Sequence, residues 1–179
     1  MTQQHPSRHR GNLEADRRLV SWEADLETAR SLFHDYRNWL AEHRDPDPGA
    51  QARGDQGLAT IDELIAQLPG AYGPPSGDVL LWTRGESVVA CGAIRQLDAK
   101  VGEIKRISVR PDFRGKEFGA IFVAAMIDRA RELGYEQLKV DTLPSMTSAI
   151  EFYQEAGFKP APPYWPNPAA GAVYFERTL

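Results

Sequence analysis

The 179 residues carry 21 Lys+Arg against 25 Asp+Glu, a formal charge of −4, with 42% hydrophobic residues and a single Cys. A chain of this length builds one domain with its own core, and a lone thiol excludes an internal disulfide or a Cys-rich metal site and fits a reducing cytoplasm. The acidic balance argues against a nucleic-acid binder, and the longest apolar run, Ala120 to Ile127, is far short of the ~20 residues of a membrane helix, so neither nucleic acid nor membrane is expected as a partner.

The start, MTQQHPSRHRGN, lacks the apolar segment of a signal peptide and reads as a disordered arm over residues 1–17, ahead of a domain over 18–179 and a cytoplasmic location. A short strand is expected at Leu19 to Trp22. Asp25 then caps a helix to about His43, with Leu26, Ala29, Leu32, Phe33, Tyr36, Trp39 and Leu40 on one face. RDPDPGAQARGDQG (44–57) reads as a mobile loop, Thr60 to Leu68 as a short helix, and LPGAYGPPSG (68–77) as a structured turn. VLLWTR and SVVACGAIR, joined by Gly85-Glu86, form a hairpin, and EIKRISV (103–109) a third strand. A helix from about Phe118 to Leu133 turns Phe118, Ile121, Phe122, Ala125, Met126, Ala130 and Leu133 inward and ends at Gly134. LKVDT is a strand, MTSAIEFYQEA a helix closed by Gly157, and AVYFERT a last strand, with one further strand left open. The alternation after an antiparallel start gives a mixed sheet in one α/β domain.

Chemistry concentrates in RPDFRGKEFGAIFV (110–123), where a strand ends and a helix begins across Arg114, Gly115, Lys116 and Gly119. Free N–H groups at a helix start, beside glycines and cations, make an anion site suited to a pyrophosphate; by spacing alone it is equally a tight turn with solvated basic side chains. Neither G-x-x-x-x-G-K-S/T nor G-x-G-x-x-G occurs. The apolar positions Ile104, Ile107 and Val109 slip out of alternation, as at a β-bulge, though an edge strand without a bulge reads the same way.

The run from Glu103 to Phe158 resembles the GCN5-related N-acetyltransferase (GNAT) superfamily. Two signatures match in order: the acyl-CoA loop, Gln/Arg-x-x-Gly-x-Gly/Ala, at Arg114 to Gly119, and A-x-x-F-Y-x-x-x-G-F at Ala149 to Phe158. The resemblance implies a single-domain α/β fold with a mixed, mostly antiparallel sheet of about six or seven strands, flanked by about four helices and splayed at the acyl-CoA site. It implies an acyl-CoA-dependent N-acetyltransferase with acetyl-CoA as cosubstrate and no metal, in which a primary amine of a small molecule or amino-acid-like acceptor attacks the thioester directly in a ternary complex. Assembly as a homodimer is left open. Two departures stand out: Glu117 replaces the loop's middle glycine, and Met146 stands where many relatives carry Asn. They favour the rival reading, a non-catalytic acyl-CoA-binding or regulatory module; a protein or peptide acetyltransferase is a further alternative.

On the resemblance, Arg114, Gly115, Lys116, Glu117, Phe118, Gly119 and Ala120 cradle the pyrophosphate. Backbone groups of Ile107, Ser108 and Val109 bond the pantetheine and supply an oxyanion donor. Glu103, eleven residues before Arg114, matches the base, acting through water, and Tyr153 the acid that protonates the leaving thiolate. Read from residues alone, Glu103 is an exposed strand-start carboxylate and Tyr153 a core aromatic. Tyr72, Tyr164 and Trp165, in two proline-rich segments, read as walls of an acceptor pocket or as ordinary loop packing. Cys91 reads as a small core residue, and His5, His9, His34 and His43 all precede the acyl region, so no Cys-His dyad or His metal cluster is supported.

Overall fold

The computed structural model describes residues 16–20, 22–42, 48–113, 116–164 and 171–179. The chain opens with β1 (Asp16–Leu19), three residues ahead of the strand expected at Leu19 to Trp22. It pairs antiparallel from Asp16 against Thr83 to Leu19 against Leu80, so two residues assigned to the arm are in the sheet, while 1–15 lie outside the described residues.

α1 (Leu26–Glu42) presents the anticipated face, with Ala29 and Phe33 buried. α2 (Pro48–Ala66) corrects the loop reading of 44–57 over 48–57, while 44–47 lie outside the described residues, and it absorbs the short helix expected from Thr60. Proline fits a first helical turn, where its missing N–H goes unused. The buried stripe Leu58, Ile61 and Ile65 then holds the helix together despite the cost of Gly54 and Gly57. A single 3-10 turn, Gly70–Tyr72, leads to the sheet.

β2 (Asp78–Arg84) and β3 (Ser87–Asp98) form the hairpin around Gly85-Glu86, and β4 (Val101–Val109) adds antiparallel to β3. α3 (Lys116–Glu132) and α4 (Thr147–Glu155) flank β5 (Gln137–Thr142), and both helices end at glycines with positive φ, Gly134 (85°) and Gly157 (82°). There the Tyr135 N–H reaches the Ala130 carbonyl and the Phe158 N–H reaches that of Tyr153, closing each helix end. β6 (Lys159–Ala161), with Pro160 tolerated at the sheet edge, and β7 (Val173–Thr178) complete the chain.

The seven strands lie in the order β1-β2-β3-β4-β5-β7-β6, and every pair is antiparallel except β4 with β5. Alternation along β2 divides two cores. Leu80 and Trp82 face α3 and α4, with Ile104, Phe122, Met126 and Leu138, whereas Val79 and Leu81 face α1 and α2, with Phe33, Ile65, Tyr72 and Cys91. Ile121, expected inward, is 44% exposed. At 100° per residue it falls outside the buried arc running from Ala125 through Phe118, Phe122 and Met126 to Ile127.

Candidate active site

β4 is the hinge of the site. Its pairing with β3 jumps from Cys91–Ser108 to Ala93–Lys105, so Arg106 and Ile107 together oppose Gly92, and Arg106 takes φ 56°, the one non-glycine residue with positive φ among those described. This is the β-bulge suggested by the slipped alternation; the unbulged alternative is excluded. On its other edge β4 pairs with β5 only from Val101 to Ile104. Beyond that, residues 105–109 stay with β3 while Asp141 and Thr142 stay with β7, and the sheet splays into an opening. Ile107, Ser108 and Val109, the expected pantetheine contacts, lie half-buried along this one-sided edge.

Past Val109, Arg114 and Gly115 lie outside the described residues, as do the side chains of Lys116 and Glu117, although both begin α3. Phe118 is buried, stacked with Phe122 and tilted against Trp82, and Ala120 is exposed. Gly119 is buried, and a Cβ built on it would come within 2.5 Å of the Phe152 ring. Its missing side chain therefore serves close approach of α3 and α4. Met146 precedes α4 and accepts a hydrogen bond from Thr142 Oγ1 at 3.1 Å.

Glu103 is not an exposed strand-start carboxylate: it is 0% exposed. It sits on the face opposite Ile104, where β3 sets Arg95 and β5 sets Lys139 beside it in register. Arg95 Nε donates to Oε2 at 2.6 Å, Lys105 Nζ lies 2.9 Å from Oε1, and the Tyr164 hydroxyl donates to Oε1 at 2.9 Å. Lys105 also donates to Asp141 on β5, bridging the mouth of the splay. Tyr164 packs edge-on against Tyr174 at 5.2 Å, with Lys139 Nζ 5.3 Å from its ring. Burial, then the Glu103 and Asp141 charges, push the Tyr164 phenol pKa far up, so it holds its proton and serves as the donor.

Tyr153 lies across the sheet, 5% exposed, with Phe158 and Phe175 at 5.7 and 6.2 Å. Burial raises its phenol pKa, with Tyr36 and Asp141 adding to the shift. Its hydroxyl is thus in electrostatic reach of Tyr36 on α1 and of Asp141 on β5, one edge of the opening. Tyr72 is corrected from pocket wall to core: it is 1% exposed and meets Phe33 edge-on at 5.5 Å, which leaves no ring face for an acceptor. Trp165 lies outside the described residues. Cys91 is buried with its thiol pushed up to about 12 by burial, an inert core residue. Sequence reasoning missed Arg95, Lys105, Arg106, Asp141, Tyr36 and Tyr174. The available signal was three charged residues, Glu103, Lys105 and Arg106, in a strand whose other residues are mostly apolar, but their partners emerge only from strand register.

This geometry, a bulged strand parting from a parallel neighbour with a carboxylate on one face and a phenol on the other, accompanies a match of residues 18–158 to the profile of the Acetyltransferase (GNAT) family. The chain belongs to the GNAT acetyltransferase family. An uncharacterised N-acetyltransferase of Schizosaccharomyces pombe is 33% identical over 128 residues, 70% of this chain and 78% of that one. An IAA acetyltransferase of Azospirillum brasilense is 33% identical over 104 residues, 56% of this chain and 67% of that one. Among solved structures, the PaiA N-acetyltransferase of Thermoplasma acidophilum in complex with coenzyme A superposes with a TM-score of 0.67 at 14% identity, covering 93% of this chain and 100% of that one, a likeness of fold. No helix among the described residues of this GNAT protein is long and apolar enough to cross a membrane.

Proposed function

We propose that this GNAT protein transfers an acetyl group from acetyl-CoA to the primary amine of a small molecule or amino-acid-like acceptor by direct attack. The observation that carries the reading is the placement of Glu103 and Tyr153 on opposite faces of the sheet at the β4–β5 opening. The attacking amine and the departing thiolate are separate substituents of the tetrahedral carbon, so a base near one and an acid near the other match the two proton transfers. Acetyl-CoA, when bound, supplies the activated acyl carbon. Residues 107–109 of β4 line its arm and offer an amide to the oxyanion, and 114–120 hold the pyrophosphate.

Because Glu103 is fully enclosed, it receives the amine proton through a water or through the Tyr164 hydroxyl, which passes its own proton to Oε1 and takes another from the amine side. Arg95 and Lys105 fix the carboxylate meanwhile. Tyr153, protonated at neutral pH, gives its proton to the thiolate. The test is calorimetry with acetyl-CoA followed by Tyr153→Phe kinetics. Micromolar binding and a fall in kcat of about 10²-fold, with cofactor affinity retained, are expected. Absence of binding at millimolar acetyl-CoA overturns the reading, and an unchanged kcat removes Tyr153 from the acid role.

A further inference from the structure

The charged groups around Glu103 balance one another. Arg95 and Lys105 pair with Glu103, Lys105 also with Asp141, and Lys139 with Glu176 at 3.4 Å. Arg106 stands outside this balance. None of the described carboxylates, Asp35 of α1 included, forms an ion pair with it, and its Nε is buried without a hydrogen-bond partner. A buried guanidinium donor left unmet is costly, and each such exception calls for a partner or a role that explains it.

Two further features hold this side chain in place. Arg106 is the bulge residue, at φ 56°, a conformation that strains any residue with a Cβ and persists where the surroundings impose it. Its carbonyl accepts from the Cys91 thiol at 3.7 Å, and its guanidinium lies 5.6 Å over the Tyr36 ring, which backs the charged plane from α1. Tyr36 packs against the α1–α2 core, on the face of the sheet that carries Glu103 opposite Ile104, so the guanidinium over its ring stands on the Glu103 side of the sheet.

From these observations we infer that Arg106 is a specificity-determining residue that binds a carboxylate of the acceptor, making the preferred substrate class amines that carry a carboxylate. The inference rests on the acetyltransfer reading above and sharpens its acceptor. Once the acceptor displaces the groups that cover Nε, Nε and one terminal nitrogen form the side-on fork that matches a carboxylate with two parallel hydrogen bonds. The anion is not the cofactor's pyrophosphate, because Ile107 to Val109, about 10 Å of extended chain, separate Arg106 from the turn toward residues 114–120. The pantetheine arm that lies nearer carries amides without charge. The acceptor amine then points toward Asp141 and Glu103.

Thiol release from acetyl-CoA is measured with glycine, β-alanine, γ-aminobutyrate and lysine, each against the amine left by removing its carboxylate, for the wild type, Arg106→Gln and Arg106→Gly. The glycine variant relieves the strained φ, so it keeps the test open if Arg106→Gln folds poorly. In the wild type, kcat/KM favours the carboxylate-bearing member of at least one pair by about tenfold or more, through KM. In the variants that ratio falls toward one, while calorimetry gives an unchanged affinity for acetyl-CoA. Turnover of amines without a carboxylate preference, a preference that survives in both variants, or variants that lose acetyl-CoA binding each overturn the inference and leave the acetyltransfer reading standing. Turnover of no amine at all defeats that reading, and this inference with it.

Discussion

Replacing Glu103 by Gln keeps the shape of a fully buried side chain and removes its charge. Arg95 then loses the carboxylate 2.6 Å from its Nε, and Lys105 loses an acidic partner while keeping Asp141. Removing one member of a buried ion pair costs about 3 to 5 kcal/mol, and the remaining Asp141 contact together with the partial solvent access of Arg95, whose side chain is 15% exposed, places this case near the lower end. A loss of about 3 kcal/mol corresponds to a fall of about 6 to 12 °C in Tm for a domain of this size, read by differential scanning calorimetry. A low rate in Glu103→Gln is therefore not by itself proof of a base. The double variant Arg95→Gln/Glu103→Gln neutralises both sides of the pair and should recover most of the lost Tm, while amine-dependent thiol release well below either Tm stays down by about 10²-fold. A single variant melting within about 2 °C of the wild type would refute the buried-pair energetics. Activity returning together with stability in the double variant would refute the base role.

Gly119→Ala inserts a Cβ within 2.5–2.9 Å of three Phe152 ring carbons. The cost of overpacking, about 1–3 kcal/mol, exceeds the gain of about 1 kcal/mol in helix propensity, so a lower Tm is expected; a variant as stable as the wild type would contradict the close α3–α4 packing. Alkaline stability follows from the buried Cys91 thiol, raised from 9.0 to about 12 by burial. The folded state keeps a proton that the unfolded chain releases, so the contribution is complete below about pH 9 and is lost as pH rises toward 12, an erosion of about 4 kcal/mol at most. Tyr153 and Tyr164, raised in the same sense, add to it above about pH 10. Melting curves should be flat from pH 7 to 9 and fall beyond. Cys91→Ala should fall less steeply between pH 9 and 12, and equal slopes would rule out the thiol as the source.

Much of the fold is written in local pattern. The Gly85-Glu86 turn between apolar runs sets the β2–β3 hairpin, and the slipped alternation at Ile104, Ile107 and Val109 reports the bulge that the Arg106 backbone makes. Local pattern failed where long-range packing decides. Residues 48–57 look like a loop by their Pro and Gly content, yet they are helical because the chain that follows buries Leu58, Ile61 and Ile65. Tyr72 and Tyr164 occupy similar proline-rich segments on the same face of the sheet; one is sealed under α1 beside β2 and β3 and the other bonds Glu103 beside β7, a difference set by where along the sheet each segment crosses. The family resemblance singled out Glu103, but its enclosure by Arg95, Lys105 and Tyr164 depends on β3, β5 and the segment after β6, far apart in sequence.

The central claim, that the β4–β5 opening carries out acyl transfer to an amine, is tested most directly by thiol release from acetyl-CoA across a panel of primary amines at saturating cofactor. The expected result is a release rate that rises with amine concentration, exceeds hydrolysis without amine, and yields the N-acetyl product by mass. Tight binding of acetyl-CoA with no amine-dependent release from any member of the panel would contradict it and identify the chain as a binding module that kept the acetyltransferase fold.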